Sequence, residues 1–96
     1  MKIITIELAD EMDQYHDDIK QFINLMVYKL QKNVHKGRWE HIDIWDAFWM
    51  MQTESGELMR AIRERNIDEI YLEAADVANF AMILASILKE RGDGDI

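Results

Sequence analysis

The chain has 96 residues, a formal net charge of −8, and neither cysteine nor proline. We expect one domain, residues 1–96, which is small enough to gain stability by association with a second copy. The acidity disfavours a nucleic-acid polymer as partner, because its phosphates attract clustered lysine and arginine. The lack of cysteine excludes a disulfide framework and fits a cytoplasmic location. The first apolar run breaks at Glu7, so no signal peptide or membrane-spanning segment is expected there.

Helix-forming residues dominate the composition and predict an all-α fold with three main helices. The first is predicted at about 13–35, because apolar residues recur at the helical period between Ile19 and Leu30. Residues 1–12 are ambiguous: their apolar side chains fit either the start of this helix or an extended arm.

The second and third helices are each preceded by a capping residue. Asp43 begins a helix predicted at about 43–65, and Asn66 begins another at about 67–91. The third helix is apolar on nearly every side, which is typical of a buried helix. The residues after it, 92–96, are expected to form a frayed tail.

The second helix carries two apolar sectors and therefore needs two partners. Beside its main stripe, Trp45, Trp49, Gly56 and Met59 form an adjoining sector at 100° per residue. A subunit interface and a contact with the first helix explain this sector equally well.

The connection before the second helix is the one loop rich in polar chemistry. It holds Lys36, Arg38 and Trp39 together with two histidines. It is either a plain connector whose tryptophan enters the core or part of a binding site.

Two pairs of acids are spaced for one helix face each. Glu54 and Glu57 form the first pair, Glu73 and Asp76 the second, and 15 residues separate the pairs. Glu57 stands nine residues before Asn66, while the second pair stands seven and ten residues after it. In an antiparallel hairpin these side chains therefore reach nearly the same height.

Four carboxylates in partly apolar surroundings repel one another and resist desolvation. Protonation, salt bridges to nearby basic side chains, or a divalent cation could offset that cost. Because the set contains only oxygen ligands, it suits Mg²⁺, with Mn²⁺ as a substitute, better than Zn²⁺.

The two acidic motifs, followed by the segment Val77-Ala78-Asn79-Phe80, resemble those of the MazG-type all-α nucleoside triphosphate pyrophosphohydrolases. That superfamily includes dimeric dUTPases, dCTP pyrophosphatases and phosphoribosyl-ATP pyrophosphohydrolase. The similarity extends over about residues 36–88. It implies Mg²⁺-dependent cleavage of a nucleoside triphosphate to the monophosphate and pyrophosphate. It also implies a helical bundle completed by homodimerisation, or a tetramer built as a dimer of dimers.

The resemblance assigns roles to individual residues. It implies that the metal ligands are Glu54, Glu57, Glu73 and Asp76, with Glu54 and Glu57 catalytic. Which acid acts as the base stays open, and Glu54 is our guess. The substrate-binding residues it suggests are Asn79, Trp39, Lys36 and Arg38. Asn79 is equally well explained as a buried amide that bonds to a neighbouring helix, and Trp39 as a core residue rather than a base-stacking one.

One departure and two rival classes qualify this interpretation. Thr53 stands where many relatives have a further glutamate, and the phosphoribosyl-ATP substrate is disfavoured. A non-enzymatic helical interaction module explains the amphipathic helices but not acids embedded among alanines. A di-iron carboxylate bundle explains embedded acids but requires E-x-x-H pairs, which the motifs lack.

Overall fold

A computed structural model describes residues 1–33 and 37–92 of the chain. Over these residues the regular structure is entirely helical, without a strand: a short 3₁₀ helix, Asp10–Tyr15, is followed by α1 (His16–Asn33), α2 (Ile44–Arg63) and α3 (Ile67–Arg91). The predicted all-α class and its three main helices are confirmed. Lys36, the end of the first predicted helix and most of the predicted tail lie outside the described residues.

The first helix begins later than its predicted start near residue 13. Residues 1–9 are not helical, and the 3₁₀ helix begins after Ala9, which offers no side-chain cap. The α-helical geometry starts at His16, close to the first residue of the apolar stripe, Ile19. α1 therefore begins about one turn before the apolar stripe.

The two predicted caps are present. A side-chain oxygen of Asp43 accepts a hydrogen bond from the backbone N–H of Trp45 at 3.0 Å, and Asn66 accepts one from the N–H of Glu69 at 3.3 Å. Between α2 and α3 the chain reverses at Arg65, whose φ of +56° is left-handed. The N–H of Asn66 then bonds to the carbonyl of Ala61 at 3.1 Å, which closes the helix end. This short turn fixes the α2–α3 hairpin.

α3 packs against both other helices, but it is buried along a single stripe. The buried side chains of that stripe recur every four residues at Ala75, Asn79, Ile83 and Ile87. The prediction of a helix buried on nearly every side is therefore wrong for one chain, because α1 and α2 together cover only part of its surface. By length and hydropathy alone α3 could also cross a membrane, a property that core helices share.

The second apolar sector of α2 faces solvent. Trp45, Trp49 and Met59 of this sector are 57%, 62% and 51% exposed, and Gly56 is exposed as well. The interpretation of this sector as a contact with the first helix is therefore wrong. Its use as a subunit interface stays a prediction.

Candidate metal centre

The α2–α3 hairpin brings three of the four motif acids together. One carboxylate oxygen from each of Glu54, Glu57 and Glu73 lies within 4.8 Å of the other two, and all three residues are half-buried. We call these residues the carboxylate trio. The trio forms because the turn at Arg65 sets the two helices at a register in which the acids face each other.

Two oxygens of the trio are buried without a partner. Oε2 of Glu54 and Oε2 of Glu73 are shielded from solvent, and neither has a hydrogen-bond partner among the described residues. A buried, unsatisfied carboxylate oxygen is strongly unfavourable unless a proton or a cation compensates it. The hairpin therefore holds a local excess of negative charge.

The same crowding changes the acidity of the trio. Desolvation, a hydrogen bond with Glu73 and the negative charges of Asp76 and Glu57 raise the pKa of Glu54 to about 8. Desolvation also raises the pKa of Glu73, although its hydrogen bond with Glu54 works in the opposite direction. Burial and mutual repulsion thus favour retention of a proton within the Glu54–Glu73 pair in the absence of a cation.

The fourth motif acid, Asp76, has a partner of its own. Its Oδ2 lies 3.2 Å from Nζ of Lys29, and the two side chains are only 17% and 15% exposed. Lys29 was not singled out from the sequence, although it directly precedes Leu30 of the α1 stripe. A lysine beside an apolar stripe can bury its stem and carry its charge toward the core, which is the one signal that could have identified it.

Asn79 connects α3 to α1 next to this ion pair. Its side chain is 5% exposed, and its amide nitrogen donates to the backbone carbonyl of Met26 at 3.0 Å. The alternative interpretation of Asn79, an amide bonded to a neighbouring helix, is therefore confirmed for the amide nitrogen. Its Oδ1 is buried and has no partner among the described residues.

A cleft of about 600 Å³ lies beside Glu54 and Asp76, and both acidic and basic side chains line it. Its lining includes the acids Glu54, Asp76 and Glu40 and the bases Lys29 and Arg38. Trp39 lines the cleft as well.

The two loop residues in the cleft are held differently. The indole N–H of Trp39 points to the hydroxyl of Ser86 at 3.4 Å, and its ring packs on the core cluster. Arg38 is exposed and pairs with Glu40 at 3.2 Å. The third predicted loop contact, Lys36, lies outside the described residues. Trp39 thus serves the core and also presents a surface to the cleft.

The donor set fits a hard divalent cation. Three carboxylates converge, their unpartnered oxygens need positive charge, and no described histidine adjoins them. Mg²⁺ and Mn²⁺ match such a set better than softer metals do. Comparisons of the chain with family models, with curated proteins and with solved structures found no match.

Proposed function

We propose that the chain is a Mg²⁺-dependent nucleoside triphosphate pyrophosphohydrolase, which converts a (deoxy)nucleoside triphosphate and water to the monophosphate and pyrophosphate. The observation that carries this proposal is the carboxylate trio, with two buried oxygens that lack a partner. A site with excess negative charge attracts a cation, and a cation in turn attracts an anionic substrate. The motif resemblance supplies the reaction class.

The trio would hold the cation, and Asp76 would join it if Lys29 moved away. Mg²⁺ bound there would neutralise charge on the phosphates and lower the pKa of water. Glu54 is the candidate base, because a positive charge opposes its protonation and frees Oε2 to accept a proton from the attacking water. Water then adds across the anhydride between the α and β phosphates, and pyrophosphate leaves.

The cleft offers groups for the rest of the nucleotide. Lys29 can exchange its contact with Asp76 for a phosphate oxygen, and Arg38 can exchange its contact with Glu40 in the same way. Trp39 presents an aromatic surface on which a base can stack. A phosphate at one end and a base at the other fit a cleft of about 600 Å³.

A homodimer, or a dimer of dimers, would cover the apolar surface that one chain leaves open. Trp45 and Trp49 on α2 and Met82 on α3 are all exposed. Large exposed apolar side chains form association surfaces in soluble proteins where they adjoin one another, as Trp45 and Trp49 do one helical turn apart. Association through them would complete the helical bundle. We also propose that the enzyme is cytoplasmic.

The proposal is tested with a panel of canonical ribo- and deoxynucleoside triphosphates. With Mg²⁺ the protein should release pyrophosphate and a monophosphate in equal amounts, and EDTA should abolish the release. If nothing is hydrolysed and the folded protein binds no Mg²⁺, the exposed tryptophans favour a helical interaction module instead. Iron-dependent absorbance after reconstitution would favour a di-iron bundle.

A further inference from the structure

The first residues of the chain form an apolar segment that is exposed to solvent. We call residues 1–9 the N-terminal arm; they are not helical, and Ile3, Ile4 and Ile6 are 86%, 76% and 55% exposed. Single exposed apolar residues are ordinary, but three in four consecutive positions form a patch. Water contact at this patch is unfavourable, and burial of the three isoleucines would stabilise a complex.

An open groove lies elsewhere on the chain, between α1 and the first turns of α3. This α1/α3 groove has a volume of about 660 Å³. Its apolar lining consists of Phe22, Leu25, Tyr28, Tyr71 and Leu72. Two acids, Asp18 and Asp68, also line it. The groove therefore suits an apolar segment that carries a positive charge.

The N-terminal arm matches the groove in length and pattern, and its one acid, Glu7, alternates to the side away from Lys2, Ile4 and Ile6. Extended residues 3–8 span about 17 Å, and the groove residues of α1, Asp18 to Tyr28, span about 15 Å along the helix. Alternation in an extended segment places Lys2 on the same side as Ile4 and Ile6. That side can pack its isoleucines on the apolar lining and direct its lysine toward an acid.

We propose that the N-terminal arm of a second copy of this chain occupies the α1/α3 groove. Within one chain the arm is exposed and the groove is open, so the chain's own arm does not fill it. Reciprocal exchange between two copies would cover both arms and both grooves in a closed, two-fold arrangement. This contact lies apart from the tryptophan sector of α2 and from the carboxylate trio, and it does not depend on the proposed activity.

Cysteine cross-linking between separate copies tests the exchange, because the chain has no thiol of its own. One copy carries Ile6→Cys and the other Tyr71→Cys; the two are mixed and oxidised under mild conditions. A disulfide-linked heterodimer should form in high yield, since the exchanged arrangement places the side of the arm that carries Ile6 on the apolar lining that includes Tyr71. The matched controls replace Tyr71→Cys with Gln52→Cys, on the exposed side of α2, or Ile6→Cys with Thr5→Cys, on the opposite side of the arm.

The controls should give several-fold less heterodimer than the test pair. Equal yields with Gln52→Cys, or no heterodimer at all, would overturn the proposal. A chain carrying both Ile6→Cys and Tyr71→Cys that closes on itself as a monomer would overturn it as well, since its own arm would then be the occupant.

A charge exchange gives a second, independent measurement. Lys2→Glu in the Ile6→Cys copy should reduce the heterodimer yield several-fold, because the new carboxylate meets Asp18 and Asp68. Changing both acids to lysine in the other copy should restore it. A yield that does not respond to either change would contradict the placement of Lys2 in the groove.

Discussion

Glu73 and Asp76 lie one turn apart on α3, yet the side chains around the two carboxylates differ in charge. Asp76 has a cation within the fold, because α1 brings Nζ of Lys29 to 3.2 Å from its Oδ2. Glu73 meets Glu54 and Glu57 instead, and its Oε2 is buried without a hydrogen-bond partner among the described residues. The acid of the ion pair is thus compensated within the fold, whereas no cationic side chain of the described residues forms a salt bridge with Glu73.

We expect this difference in charge compensation to give the two acids different effects on stability. Replacement of either partner of a complete buried ion pair leaves an uncompensated charge and reduces stability. Replacement of one acid in an uncompensated cluster relieves repulsion, so stability should rise while cation binding is lost. The two regions therefore make opposite predictions for the same kind of substitution, carboxylate to amide.

The largest expected effect is on activity. Glu57→Gln should lower Mg²⁺-dependent pyrophosphate release by about 100-fold or more, because even residues that merely orient metal ligands contribute about 10- to 100-fold. Steady-state kinetics with the best nucleotide of the panel measures this. Asp46→Asn, an exposed acid on the same helix, is the matched control and should retain full activity. Equal activity of Glu57→Gln and the control would remove Glu57 from the site.

The next largest expected effect is a loss of stability when the Lys29–Asp76 ion pair is broken. Lys29→Met retains the apolar stem but leaves Asp76 buried without a partner, and should lower the free energy of unfolding by about 3 kcal/mol. Urea denaturation measures the change, with Lys20→Met, an exposed lysine of α1, as the control. Combining Lys29→Met with Asp76→Asn should recover most of the loss. If the single variant is as stable as the control, the pair contributes nothing.

The trio should also give the metal-free protein a distinctive pH dependence. The pKa of Glu54 rises from 4.5 to about 8 on folding, so the folded state binds this proton more tightly than the unfolded state. The resulting stabilisation is fully present below pH 4.5 and is lost as the pH rises toward 8. The melting temperature in EDTA should therefore fall across this range.

Glu54→Gln provides the control for that profile. The amide cannot ionise, so the variant should lose much less stability between pH 4.5 and 8 than the parent protein. Mg²⁺ should reduce the loss in the parent protein, because the cation takes the place of the proton. A variant with the same pH profile as the parent protein would show that Glu54 is not the group responsible.

The smallest effect concerns the turn that sets the hairpin. Arg65 adopts a left-handed conformation, with φ +56°, that glycine adopts without a steric penalty. Arg65→Gly should therefore raise the free energy of unfolding by about 0.5 kcal/mol, after the greater entropy of glycine in the unfolded chain is included. Glu64→Gly, at a right-handed position, should lower it. The Mg²⁺ response of both variants should stay unchanged, which distinguishes hairpin stability from the trio.

The sequence was informative where the deciding interactions are local. Asp43 and Asn66 cap their helices through neighbouring backbone groups, and the bounds of α2 and α3 fall close to those predicted. The meeting of acids from the two motifs also follows from local quantities, namely residue counts on either side of one turn.

The features that the sequence does not predict depend on how α1 packs against α3. This packing places Lys29 beside Asp76 and Met26 beside Asn79, and no residue count along the chain predicts it. Asp76 thus has a lysine partner while the other three acids converge. A pattern of apolar residues indicates that a helix packs against other helices, but it does not predict how much of the helix surface each of them covers.

Thermal unfolding at pH 8 with and without Mg²⁺ tests the carboxylate trio most directly. Mg²⁺ should raise the melting temperature of the parent protein, since a ligand at 100 times its dissociation constant adds about 2.7 kcal/mol of stability. Glu73→Gln should melt higher than the parent protein without metal and should respond little to Mg²⁺. The account is contradicted if saturating Mg²⁺ leaves the parent protein unchanged, or if Glu73→Gln melts lower without metal and still gains the full stabilisation with it.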